Sequence, residues 1–155
     1  MTYLIYIFFI LLLVAIDQYS KSLVISYIGL KESIPIIKNF FNLTYVQNFG
    51  AGFSIMQNAT AFFYILTPIC LLGFGYLLYK TKKDDILGKI SLILIIGGTI
   101  GNFIDRVINV YVIDFLDFYI LGYDFPVFNF ADMCLTVGVF LYIITIFLES
   151  KHAKA

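Results

Sequence analysis

The chain has 155 residues, 61% of them hydrophobic and 13% charged, with zero formal net charge and a mean hydropathy of +0.96. A soluble domain of this size could not bury so much apolar surface, so much of its exterior must face lipid. The neutral balance supplies no basic stripe for nucleic acid. Two cysteines, Cys70 and Cys134, lie in apolar runs without a CxxC spacing, and the single histidine is His152. These residues cannot assemble a zinc set, so no metal or cofactor is expected.

A first span is expected over residues 3–22. The uncharged run ends at Ile16, and sixteen residues cover only about 24 Å of a roughly 30 Å hydrocarbon core, so the helix must continue past Asp17. Asp17 and Lys21 stand four residues apart, the spacing that lets them pair. Residues 30–58 form an outer region of β and loop character. Phe41, Leu43 and Tyr45 alternate with Asn42, Thr44 and Val46, which predicts a strand on the membrane surface. The loop Asn48-Phe49-Gly50-Ala51-Gly52-Phe53-Ser54 follows, its glycines permitting tight turns or close approach of another chain.

A second span is predicted over 59–79, a third over 86–105 and a fourth over 130–148, with an outer loop over 106–129 and one domain over 1–155. Gly97 and Gly101 give the third span a small-residue face for close helix packing. Four spans place both termini and the Lys80–Lys89 loop on one side. That side holds six of the ten basic residues, so the positive-inside rule makes it cytoplasmic. Asp17, Asn48–Ser54, Asn102–Arg106 and Asn129–Asp132 then all fall at the opposite, outer face.

The stretch from Asn102 to Asp132 carries five of the ten acidic residues, at 105, 114, 117, 124 and 132. Carboxylates at a membrane edge are costly, which implies work rather than solubility. Asn102, Asp105 and Arg106 share one helical face, where the Arg106 guanidinium is expected to hold Asp105 or a neighbouring acid. Asn129 and Asp132 stand three residues apart at the start of the fourth span, where the helix dipole favours an anion. Asp114 has apolar neighbours on both sides. Two carboxylates converging there cannot both ionise easily; such a dyad can deprotonate a water with one member and protonate the departing amine with the other. Asp117 and Asp124 read as solvated loop acids. A different class, a non-enzymatic proton-linked membrane carrier, would place ionisable groups through the membrane depth or show repeated halves, and neither pattern is visible.

Five motifs, Asp17-Gln-Tyr-Ser-Lys21, Asn48-Phe-Gly-Ala-Gly-Phe-Ser54, Gly97-Gly-Thr-Ile-Gly-Asn-Phe-Ile-Asp-Arg106, Val112-Ile-Asp-Phe115 and Phe128-Asn-Phe-Ala-Asp132, together resemble the motif set of the lipoprotein signal peptidases, also called signal peptidase II, in the same order along the whole chain. The resemblance implies a bacterial inner-membrane aspartic endopeptidase. Such an enzyme removes signal peptides from diacylglyceryl-modified prolipoproteins just before the lipidated cysteine. The implied fold is four transmembrane helices with a small β-cradle and loops on the outer face. By motif, the catalytic pair falls on Asp114 and Asp132, and supporting positions fall on Asp17, Lys21, Asn48, Gly50, Asn102, Asp105, Arg106, Asn129 and Ala131. The strand and loop over 40–58 would grip the extended substrate while apolar helix faces accept its acyl chains. The implied partners are the prolipoprotein and membrane lipid, with the enzyme acting as a monomer. Thr99 and Gly52 stand where alanine is more usual, a change expected to loosen packing at most.

Overall fold

The computed structural model describes residues 2–50 and 60–152. Among these residues, four helices are long and apolar enough to cross a membrane: α1 (Thr2–Tyr27), α2 (Thr60–Lys80), α3 (Ile86–Asn109) and α4 (Phe130–His152). Four strands, β1 (Ser33–Ile37), β2 (Phe41–Asn48), β3 (Val112–Ile120) and β4 (Tyr123–Asp124), form one antiparallel sheet in the order β1-β2-β3-β4. Residues 51–54, the second half of the glycine-rich loop and the site of Gly52, lie outside the described residues.

α3 is the central helix and packs against α1, α2 and α4. Its buried positions include Leu92, Ile95, Ile96, Gly98, Gly101, Asn102 and Asp105, whereas α1 and α2 leave most of their apolar side chains exposed, as lipid-facing helices do. Two glycines set how closely its neighbours come. A Cβ on Gly101 would stand 2.6 Å from the Asp17 carboxylate and 3.3 Å from the Ala131 Cβ, and one on Gly98 would collide with the Ala131 carbonyl oxygen. These glycines therefore let α1 and the start of α4 meet α3 at the level of the polar residues. The Thr99 hydroxyl donates to its own helix, at Ile95 O 2.7 Å away.

Asp85 caps the start of α3 by accepting from Gly88 N at 2.8 Å. The helix stops at Val110, whose left-handed φ of 71° is unusual for a β-branched residue and turns the chain straight into β3. β3 and β4 are joined by Leu121 and Gly122, both at positive φ, the signature of a tight two-residue hairpin.

α1 runs beyond residue 22 to Tyr27, because Val24 and Ile28 pack under the sheet against Tyr45, Ile113 and Phe115. The segment 106–129 is not simply a loop. α3 continues through Asn109 and the nine-residue strand β3 follows. Its first four residues are all buried, so both faces are covered and no apolar–polar alternation marks it in the sequence. One consequence corrects the reading of Asp117: it lies on β3 with 4% exposure and is not a solvated loop acid. Asp124 is exposed.

Candidate active site

The sheet and the ends of α1, α3 and α4 enclose a buried polar cluster. α1 contributes Asp17 and Lys21, each 1% exposed. The Lys21 ammonium donates to Asp17 Oδ2 at 2.8 Å and Asn102 Oδ1 at 3.0 Å, and forms an ion pair with Asp105 Oδ2 at 2.9 Å. Asp17 also accepts from Ala131 N at 3.0 Å, and Asp105 from Ile113 N at 3.0 Å. The two carboxylates thereby tie α1 to the first turn of α4, and α3 to β3. Ala131 serves through its backbone and its small size. Gln18 adds a third link, donating to Asp105 Oδ1 at 2.9 Å, Asp17 Oδ2 at 3.1 Å and Gly101 O at 3.1 Å. Sequence reasoning passed over Gln18. Its only signal was its place between Asp17 and Lys21.

Asp114 and Asp132 sit on the other side of this cluster. Asp114 is 2% exposed, and its oxygens accept from Asn129 Nδ2 at 2.7 Å and Asn48 Nδ2 at 2.9 Å. Asp132 accepts from Asn102 Nδ2 at 2.8 Å and from Asn129 N at 3.2 Å, while Asn129 Oδ1 accepts from Asp132 N at 2.9 Å. The last two bonds form a reciprocal cap on α4. Asn129 thus touches both carboxyl groups at once, and Asn102 joins Asp132 to Lys21. The donors to this pair are amide groups, and among the described residues neither carboxyl group forms an ion pair. Burial pushes the Asp114 carboxyl up to about 7, the nearby Asp132 charge pushes the same way, and the Asn48 and Asn129 bonds partly offset both.

Arg106 departs from expectation. The adjacent residues Asp105 and Arg106 point apart, and Asp105 is held by Lys21, Gln18 and Ile113 N. The guanidinium instead donates to Gly50 O at 2.9 Å and Asn102 O at 3.2 Å, and lies 4.7 Å from the Phe63 ring centroid. It forms no ion pair among the described residues. Asn48 Oδ1 accepts from Gly50 N at 2.9 Å, so Gly50 is gripped from both sides, its N–H by Asn48 and its C=O by Arg106.

Asp114, Asp132 and Asn48 open onto a cavity of about 520 Å³. The rest of its wall is mainly apolar, from Phe125 and Val127 of the connection before α4 and from Met133 and Val137 along α4. The sequence-predicted positions Asp17, Lys21, Asn48, Gly50, Asn102, Asp105, Arg106, Asn129 and Ala131 are all drawn into contact around Asp114 and Asp132.

Fold and site together define an integral membrane protein that holds two carboxyl groups over an apolar cavity at one end of its helix bundle. The signal peptidase (SPase) II family profile matches residues 9–148, and the chain belongs to that family. It is 39% identical over 142 residues to the lipoprotein signal peptidase of Brevibacillus brevis, covering 92% of this chain and 94% of that one. Two solved structures share the fold. One bacterial membrane enzyme determined by the in meso method at 2.3 Å resolution superposes with a TM-score of 0.89 at 35% identity, covering 95% of this chain and 90% of the other. A second, at 1.9 Å resolution, gives a TM-score of 0.83 at 37% identity, with 91% of each chain covered. Membership makes the chain a bacterial membrane peptidase and decides against a proton-linked carrier.

Proposed function

We propose that this peptidase is an aspartic endopeptidase that removes the signal peptide from diacylglyceryl-modified prolipoproteins, hydrolysing the bond just before the lipidated cysteine. The observation that carries the reading is the opening of Asp114 and Asp132 onto one cavity with an otherwise mainly apolar wall. The Brevibacillus brevis relative, a lipoprotein signal peptidase, supports the substrate class.

Electrostatics favour one proton on the pair. With both ionised, Asp17, Asp105, Asp114 and Asp132 would set four negative charges against Lys21 and Arg106 in a largely buried cluster. Sharing one proton relieves that excess, in line with the upward push on Asp114. The ionised carboxylate takes a proton from a water, whose oxygen bonds to the scissile carbonyl carbon, while the protonated partner donates to the carbonyl oxygen. Collapse of the tetrahedral intermediate breaks the C–N bond as one of its hydroxyl groups returns a proton to the ionised partner, re-forming the C=O and restoring the single shared proton. The amine leaves with a proton from the carboxyl group that removed it from water. The products are a signal peptide ending in a carboxylate and a lipoprotein with a free amino group on its modified cysteine. No metal takes part in these steps, so activity should persist in chelator; loss on chelation with recovery on adding a divalent ion would contradict them.

Asn48 and Arg106 act on position rather than on protons, holding Gly50 from opposite sides. The apolar flank of α4 accepts the acyl chains. The enzyme works as a single membrane domain and a monomer, with the site at the outer face and both termini cytoplasmic. A cysteine at Lys82 should then resist impermeant reagents in intact cells; ready labelling would reverse the topology. The functional test is cleavage of a lipidated prolipoprotein by purified enzyme in detergent or lipid. Release of a fragment beginning at the modified cysteine is expected, and no release from lipidated substrate would overturn the proposal.

A further inference from the structure

Asp117 is a buried carboxylate that the proposed chemistry does not use. It lies three residues after Asp114 on β3, so the two side chains project from opposite faces of the sheet. Its Oδ2 accepts from Thr44 Oγ1 at 2.5 Å and from Asn42 Nδ2 at 3.4 Å, and its Oδ1, also buried, has no partner among the described residues. The Thr44 and Ser33 hydroxyls are 2.9 Å apart. Since Thr44 has one hydroxyl hydrogen and the carboxylate takes it, Ser33 donates to Thr44. A carboxylate kept at 4% exposure with one oxygen unsatisfied is costly, and the location of its partner gives a reason for that cost.

Thr44 sits in an irregularity of the β2–β3 pairing. Asn42 pairs with Asp117 and Leu43 with Leu116, and the register resumes at Val46 opposite Asp114. Between these points β2 uses two residues, Thr44 and Tyr45, where β3 uses one, Phe115, which is a β-bulge. Without it Tyr45 would stand opposite Asp114, and Asn48 would be carried opposite Tyr111. A one-residue slip turns every following side chain to the other face. Asn48 would then project away from Asp114. With the bulge, Asn48 pairs with Val112 on the same face as Asp114 and reaches its carboxyl at 2.9 Å. The Tyr45 ring is held by apolar packing against Val24, Ile28, Ile113 and Phe115. The polar half of the bulge is held by Asp117.

We propose that Asp117 is a positioning residue for the peptidase reaction: by holding Thr44 it fixes the β2 bulge that delivers Asn48 to Asp114. This rests on the reading of Asp114 as one of the working acids.

The test uses the full chain with Thr44→Val, which removes the hydroxyl and keeps shape and strand preference, and Thr44→Ser, which keeps the hydroxyl. Two readouts follow in each: the pH–rate profile for prolipoprotein cleavage, and titration of the Asp114 carboxyl by carbon-13 spectroscopy. The charged groups that act on Asp114 are Asp132 from α4, Lys21 from α1 and Arg106 from α3, and its amide donors are Asn48 from β2 and Asn129. None of these is altered by the substitutions, so a shift reports the Asn48 bond. In Thr44→Val we expect kcat to fall about tenfold and the Asp114 titration to rise by about one pH unit, the effect of losing one donor to a carboxylate. Thr44→Ser should stay near wild type. Adding Asp117→Ala to Thr44→Val should change little further, because both act through one link. A Thr44→Val enzyme with lowered thermal stability but unchanged titration and pH profile would overturn the inference and leave the peptidase reading intact. An Asp114→Asn enzyme that still cleaves normally would instead remove the reading on which the inference stands.

Discussion

Two pairs of carboxyl groups, Asp17 with Asp105 and Asp114 with Asp132, meet in one polar cluster joined through Asn102 but differ in their partners. Asp17 and Asp105 both form ion pairs with Lys21, and each also accepts a backbone N–H from a different element. Asp114 and Asp132 are bonded to the amides of Asn48, Asn102 and Asn129 and open onto a cavity. An ammonium within bonding distance holds a carboxyl group in place and makes it an anchor. Amide donors orient a carboxyl group without cancelling its charge, leaving its proton exchangeable. On the proposed mechanism the same residue type serves as fastening on one side of the cluster and as reagent on the other.

Substitutions should separate the two sides. The largest effect on chemistry is expected from Asp114→Asn and Asp132→Asn, since general acid–base groups contribute typically about 10²–10⁴-fold each. Both variants should remain folded and bind a substrate-like lipopeptide. The double variant should be scarcely worse than either alone, because residues working as a unit are not additive. Turnover by Asp114→Asn at near wild-type rate would break the comparison at its reactive end.

Lys21→Met should act mainly on stability. It leaves Asp17 and Asp105 as uncompensated buried charges, and breaking a buried ion pair costs about 3–5 kcal/mol. Thermal unfolding in detergent should show a large loss of stability. An equally stable Lys21→Met protein would mean that the anchor half is not held by charge.

Arg106→Lys should lower cleavage by about tenfold, because an ammonium cannot reproduce a planar fork reaching Gly50 O and Asn102 O while covering Phe63. Full activity would show that charge alone suffices there. Asp124→Asn, at an exposed hairpin position, should change stability by less than about 0.5 kcal/mol and leave cleavage unaltered. A clear loss of activity would place part of the substrate path over the β3–β4 hairpin.

Much of this arrangement is legible in the sequence where the rules are local. Hydropathy marks the four long helices, and the four-residue spacing of Asp17 and Lys21 gives their ion pair, 2.8 Å long in the structure. The alternation over Phe41–Val46 marks β2. β3 escapes because its first four residues are all buried and carry no apolar–polar alternation, and it follows α3 directly after the left-handed turn at Val110. Asp117 reads as solvated for the same reason, since acids in an expected loop look solvated, whereas it is 4% exposed on β3. The partners of Arg106 are carbonyl groups of Gly50 and Asn102, one of them 56 residues away, and backbone acceptors leave no trace in residue identity. The β2 bulge is similarly silent: only the β2–β3 register reveals that Asn48 faces Asp114.

On the proposed mechanism Asp114 carries an exchangeable proton governed by Asp132. Carbon-13 titration of the Asp114 carboxyl in the intact protein, alone and with Asp132→Asn, tests it most directly. Burial and the Asp132 charge both raise Asp114, to about 7, so its protonated form should dominate below that pH and be lost as pH rises through it. Removing the Asp132 charge should move the titration to lower pH, while burial keeps it above the ordinary carboxylate range of about 4. A wild-type Asp114 that titrates near 4, or one unmoved by Asp132→Asn, would contradict the account.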